Sequence, residues 1–174
     1  MGHRAARSRG DADGGVALSA SGGTTPSQTV GPYFGIGLPF AAGPDAVSPD
    51  TTGAIRVTGT MYDGESAPVP DALIETWQVT PRELWARASC EDTGGTYSLV
   101  TLRPDGATPW IDVSVFARGL LHRLVTRMYF AAGDVPDIVP GDRRDTLVAQ
   151  TAENDGYRFD IHLQGPGETV FFDV

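Results

Sequence analysis

The feature that most limits what this chain can fold into is its punctuation. The 22 glycines and 13 prolines are spread between short apolar runs, which favours many turns over long helices. Where a run is long enough to show a period, the period is two. Ile55, Val57 and Met61 share one face of a strand, with Arg56, Thr58 and Thr60 on the other. Ile111, Val113 and Val115 alternate with Asp112, Ser114 and Phe116. Strands are expected from residue 54 onward, then over 72–78, 97–102, 111–116, 124–130, 146–150, 157–164 and 169–173. Turn chemistry such as Asp63-Gly64 separates them. Eight such strands describe an all-β fold, an antiparallel β-sandwich. The stretch 81–88, containing Trp85, reads as a short helix.

Residues 1–23 are rich in Gly, Ala, Ser and Arg and lack the apolar centre of a secretory signal, so a disordered leader is expected there. Residues 24–174 are read as one domain. Its first part, 24–53, is an extended N-terminal arm, because Pro26 and Pro32 bar a helix interior or a central strand. No run approaches the ~18 apolar residues that span a bilayer, so a cytoplasmic protein is expected. The net charge of −9 argues against nucleic acid, whose binders displace counterions with cations, and against a polybasic membrane contact. All 13 basic residues are arginine. Without lysine there is no Schiff-base chemistry and no P-loop.

The chain shows little chemistry of its own. Cys90 is the single cysteine, so no internal disulfide forms, and no histidine lies near it in sequence. His3 falls in the leader, His162 on the polar face of a strand, and His122 beside Arg123, all read as surface or structural residues. There is no His-x-His, HExxH or CxxC pair and no Gly-x-Ser-x-Gly elbow. No catalytic residue and no metal ligand is assigned to this chain.

Several segments, in order, resemble the intradiol ring-cleaving dioxygenases. They are Thr25-Pro26-Ser27-Gln28-Thr29-Val30-Gly31-Pro32-Tyr33-Phe34, then Gly59-Thr60-Met61-Tyr62-Asp63-Gly64 with Val69-Pro70-Asp71-Ala72 and Glu75-Thr76-Trp77-Gln78. Next come Phe116-Ala117-Arg118-Gly119, Thr126-Arg127-Met128-Tyr129-Phe130 and Arg143-Arg144-Asp145-Thr146-Leu147. Tyr157-Arg158-Phe159-Asp160-Ile161 and Gly167-Glu168-Thr169-Val170-Phe171-Phe172-Asp173 complete the set. The resemblance is to the α-type chains of the heteromeric members. It implies a β-sandwich, a β-chain partner and a non-haem Fe(III) centre. The reaction it implies inserts O2 into protocatechuate, opening the ring between the two hydroxyls to give 3-carboxy-cis,cis-muconate.

The family's iron is held by two tyrosines and by a His-x-His pair on a strand of the β chain. At the matching place this chain reads Trp110-Ile111-Asp112, and Tyr97, the nearest tyrosine, reads as a strand residue. The resemblance therefore places Fe(III) on the partner and gives this chain a share in the substrate cavity. Thr29, Gly31, Pro32 and Tyr33 match the arm that lines the cavity, and Arg118 matches an arginine that reaches it. Packing of Tyr33 onto the sandwich and an inter-subunit ion pair for Arg118 are the plainer roles. Arg127, Arg143 and Arg144 are read as structural or interface charges. The other reading is a stand-alone sandwich module that binds a small aromatic ligand or a protein without catalysis.

Overall fold

The computed structural model describes residues 26–31 and 33–173, so the predicted leader lies outside the described residues. A single-turn helix α1 (Phe34–Gly37) is followed by β1 (Ala54–Tyr62), β2 (Leu73–Gln78), β3 (Leu84–Ser89), β4 (Thr96–Leu102), β5 (Trp110–Phe116) and β6 (Leu124–Tyr129). Three two-residue strands complete the set, β7 (Gln150–Thr151), β8 (Tyr157–Arg158) and β9 (Ile161–His162). One sheet has the order β4-β1-β8-β7 with β9 also on β1, and the other the order β3-β2-β5-β6. The long pairings are antiparallel, while β8 and β9 join β1 in parallel. The expected sandwich is present.

The period-two pattern builds the core. In β5, Ile111, Val113 and Val115 are buried while Trp110, Asp112, Ser114 and Phe116 stay half-exposed. They meet Val57, Met61, Leu99 and Ile161 of the facing sheet. Each such aliphatic side chain contributes about 1.5–3 kcal/mol on leaving water. Gly59 sits between Val57 and Met61 on the buried face, where an added Cβ would lie 1.9 Å from the Phe159 carbonyl oxygen. Only glycine lets that backbone come so close. A buried polar tie joins the sheets at one end: Thr101 donates to the Gln78 side chain at 2.6 Å, and Gln78 donates to the carbonyls of Thr80 and Leu102. Every buried atom of that amide is thereby satisfied.

Four segments differ from the sequence reading. The stretch 81–88 is no helix; its second half is β3, with Ala86 and Ala88 buried in the core and Trp85 and Arg87 facing out. The ladder to β2 overrides the helix propensity of Leu, Ala and Arg. Residues 146–150 begin as the end of a 3-10 segment, Gly141–Leu147, where the Thr146 hydroxyl donates back to the Arg143 carbonyl, and only Gln150 is in a strand, β7. The run 157–164 is split into β8 and β9, since the Asp160 carboxylate takes the Thr60 N–H at 2.8 Å in place of a ladder carbonyl. Residues 169–173 form no strand, yet Phe172 donates to the Val125 carbonyl, and Thr126 to that of Val170, along the edge of β6.

Candidate functional site

Two places on the second sheet collect the residues of interest. At the first, the arm lies along the loop between β5 and β6. Thr29 Oγ1 accepts the Gly119 N–H at 3.1 Å, and Ser27 Oγ lies 2.9 Å from His122 Nε2. Arg118 directly precedes Gly119, so Thr29 is held one residue along the chain from Arg118. Gly31 has φ +75, a backbone that other residues adopt only with strain. Pro32 lies outside the described residues. Tyr33 follows at the start of α1 with its side chain in the open, 79% exposed, while its carbonyl accepts from Ile36 and Gly37. Phe34 beside it is buried. The ring that packs the arm down is therefore Phe34 rather than Tyr33. Arg118 pairs through Nε with Asp71 Oδ2, and its side chain is 60% exposed.

At the second place, the outer face of β5 presents Trp110 and Asp112. Arg127 of β6 stands opposite Asp112 in the register and donates from Nε to its Oδ1 at 3.0 Å. The guanidinium lies over the rings of Trp110 at 4.6 Å and Phe172 at 5.4 Å. Trp110 in turn packs at 5.9 Å from Tyr129. These residues do not fit a ferric ion. The indole offers no lone pair, the one carboxylate is engaged, and a fixed cation occupies the space beside it. Among the described residues no three His, Cys, Asp or Glu side chains come together. Tyr97 is buried and donates its hydroxyl to the Phe159 carbonyl at 2.5 Å. Burial, with Asp160 nearby, pushes its phenol well above the usual range, which opposes the tyrosinate a metal needs.

The remaining reactive groups are committed elsewhere. Burial, helped by the charge of Asp71, pushes the Cys90 thiol up to about 12, so it stays protonated and unreactive. His162 stacks on Tyr62 at 4.8 Å. It borders a cleft of about 300 Å³ together with Arg158, Asp160 and Thr146, where Arg158 is already bonded to Asp160 at 2.8 Å.

The sequence reading missed one surface. Trp85 of β3 stands opposite Trp77 of β2, and Trp77 opposite Asp112 of β5, in one row across the outer face. Phe40 stacks on Trp85 at 6.0 Å, and Arg87 covers the same ring while pairing with Glu75. With Trp77 44% and Trp85 36% exposed, this is an apolar strip that a monomer seldom leaves bare. The signal was present: Trp77 shares its period-two face with Glu75, not with the buried Ile74, Thr76 and Gln78 pattern.

No family model matches the chain. It is similar to the protocatechuate 3,4-dioxygenase alpha chain of Burkholderia cepacia, 36% identical over 191 aligned residues covering 86% of this chain and 97% of the relative. The alpha chain of Pseudomonas putida is 34% identical, covering 86% and 96%. The beta chain of the same enzyme from Burkholderia cepacia is 31% identical over 66% of each chain. Since 86% of this chain is about 150 residues, roughly 40 of the 191 aligned positions face gaps in it. Among solved structures, its fold is similar to the dioxygenase domain of a dioxygenase carbohydrate-binding protein fusion from Streptomyces sp. SirexAA-E. That match has a TM-score of 0.51 at 23% identity and covers 82% of this chain and 99% of the other. An intradiol ring-cleavage dioxygenase from Tetranychus urticae gives 0.50 at 14% identity, covering 72% and 89%.

Proposed function

The chain belongs to the family of protocatechuate 3,4-dioxygenase α chains, and from that premise we propose that it is the non-ligating chain of a heteromeric intradiol dioxygenase. A β-type partner carries the Fe(III), and the assembly uses O2 to open protocatechuate to 3-carboxy-cis,cis-muconate in aromatic catabolism, in the cytoplasm. The observation that carries this reading is the Arg127 cluster. Where a ligating chain would need imidazoles, this one holds a guanidinium over two aromatic rings.

The share of this chain in the site is a wall. Gly31 keeps the arm thin where it meets a flat substrate, and Pro32 stiffens it. Tyr33 offers a ring face and a hydroxyl, and Thr29 fixes the arm beside Arg118. The exposed part of Arg118 pairs with the carboxylate that distinguishes protocatechuate from catechol. The Trp77–Trp85–Phe40 strip supplies apolar area of the kind an obligate partner covers. On the family's chemistry the ferric centre, when bound by the partner's tyrosinates, supplies oxygen activation and a strong colour. Among the described residues no helix is long and apolar enough to cross a membrane.

Co-expression tests the reading. The chain purified alone is expected to be colourless, free of stoichiometric iron and inactive on protocatechuate, and co-expression with a β-type chain is expected to yield a coloured, active complex. Stoichiometric iron on the lone chain would overturn it. Failure to associate with any β chain would favour the stand-alone binding module.

A further inference from the structure

We propose that Asp71 is a positioning residue for Arg118, fixing the guanidinium so that its two terminal amines face the substrate carboxylate; the role rests on the reading of Arg118 given above. Asp71 stands on a turn that is held from both sides. Val69 donates to the Met61 carbonyl at 2.9 Å, and the Ala72 carbonyl accepts from Cys90 at 2.9 Å. Ala72 and Leu73 behind it are fully buried. The backbone that carries the carboxylate is therefore held in place. Its Oδ2 is buried and accepts no aligned hydrogen bond, so the ion contact with Arg118 Nε is what compensates its charge.

The asymmetry of the pair gives the role its direction. The Asp71 side chain is 19% exposed and that of Arg118 60%, so the anchor sits inside and the free end points out. A guanidinium is a rigid planar fork with five N–H donors. The ion contact at Nε tethers the fork to the fixed turn and leaves the NH1–NH2 edge. Neither terminal nitrogen donates a hydrogen bond among the described residues. That edge matches a carboxylate with two parallel bonds. An arginine on an exposed loop otherwise loses much rotamer freedom on binding, and the ion pair removes part of that cost in advance. A competing effect has the opposite sign: Asp71 also draws off some of the attraction Arg118 offers an anion. At a site this exposed, solvent screens that competition, and orientation outweighs it.

The test uses the assembled complex with its β-type partner. Asp71→Asn is expected to raise the KM for protocatechuate about tenfold with kcat and iron content unchanged, and Asp71→Glu to restore most of the loss. The inhibition constant of a catechol lacking the carboxylate should stay where it was in both. Asn and Glu variants that behave alike overturn the proposal, whether at the original KM, equally impaired or equally unassembled. So does loss of assembly confined to Asp71→Asn, which would make the carboxylate an interface support. A lower KM in Asp71→Asn would make it a competitor for the guanidinium instead, again overturning the proposal. The underlying reading fails in a different way: Arg118→Ala then leaves the protocatechuate KM unmoved, whatever Asp71 does.

Discussion

Arg118 lies in the β5–β6 loop and Arg127 in β6 just beyond it, and each has one aspartate partner, Asp71 and Asp112. Their surroundings part them. Arg127 has its guanidinium over two rings, Trp110 and Phe172, and its side chain is 37% exposed. Arg118 has no ring over it among the described residues and is 60% exposed. The same residue with the same partner thus ends in two conditions. Arg127 has become part of the packing, in a cluster that satisfies itself. Arg118 keeps an open edge, the one proposed to meet the substrate. An ion pair alone does not part the two arginines; the rings over the guanidinium do.

Exchanging the two residues for alanine separates the roles, and the larger effect is expected at Arg118. In the assembled complex, losing a charge-assisted bidentate contact of about 1.5–3 kcal/mol should raise the KM for protocatechuate roughly 10- to 150-fold. The thermal midpoint should fall as well, because the buried Asp71 Oδ2 loses its countercharge. Arg127→Ala should act on stability alone. Two partly exposed cation–π contacts and a half-exposed ion pair together contribute about 1–2 kcal/mol. Their loss lowers the midpoint by about 2–8 °C for a chain of this size and leaves the KM alone. Steady-state kinetics and differential scanning calorimetry on both variants decide it. A KM that rises equally in both would dissolve the distinction.

This contrast was only half legible in the sequence. Strong period-two runs announced β1, β2, β4, β5 and β6, since burial on one face is written locally. The edge strand β3 was not, because Leu84–Ser89 is full of helix formers and becomes a strand only through its ladder to β2. The split of β8 from β9 depends on the Asp160 side chain reaching Thr60, 100 residues away. At the site, Thr29, Gly31, Pro32, Tyr33 and Arg118 stood out through resemblance, and the hydrogen bond from Gly119 to Thr29 brings two of them into one place. Asp71 lay inside a matched motif without a role, because a turn residue's partner across 47 positions of chain is not written in either segment. Arg127 was read as a structural or interface charge. Its cluster depends on which residue faces which across two strands, Asp112 against Arg127, and on a C-terminal segment that brings Phe172 beside them.

The smallest expected effect sharpens the comparison most. Thr29→Val keeps the shape of the side chain and removes the acceptor for the Gly119 N–H. The bond is exposed, so water replaces much of it and the loss is about 0.5–1 kcal/mol, a two- to fivefold rise in KM. The informative quantity is its coupling. Gly119 adjoins Arg118, so a loop loosened by Thr29→Val has already misplaced the guanidinium that Arg118→Ala deletes. The double variant should therefore fall short of the sum of the two singles. Combined with Arg127→Ala, whose contacts are to Trp110, Asp112 and Phe172, the same substitution should add within about 0.3–0.5 kcal/mol. Equal additivity in both cycles would mean that the arm and Arg118 only lie side by side. Coupling confined to the Arg118 cycle would mean that they form one binding wall.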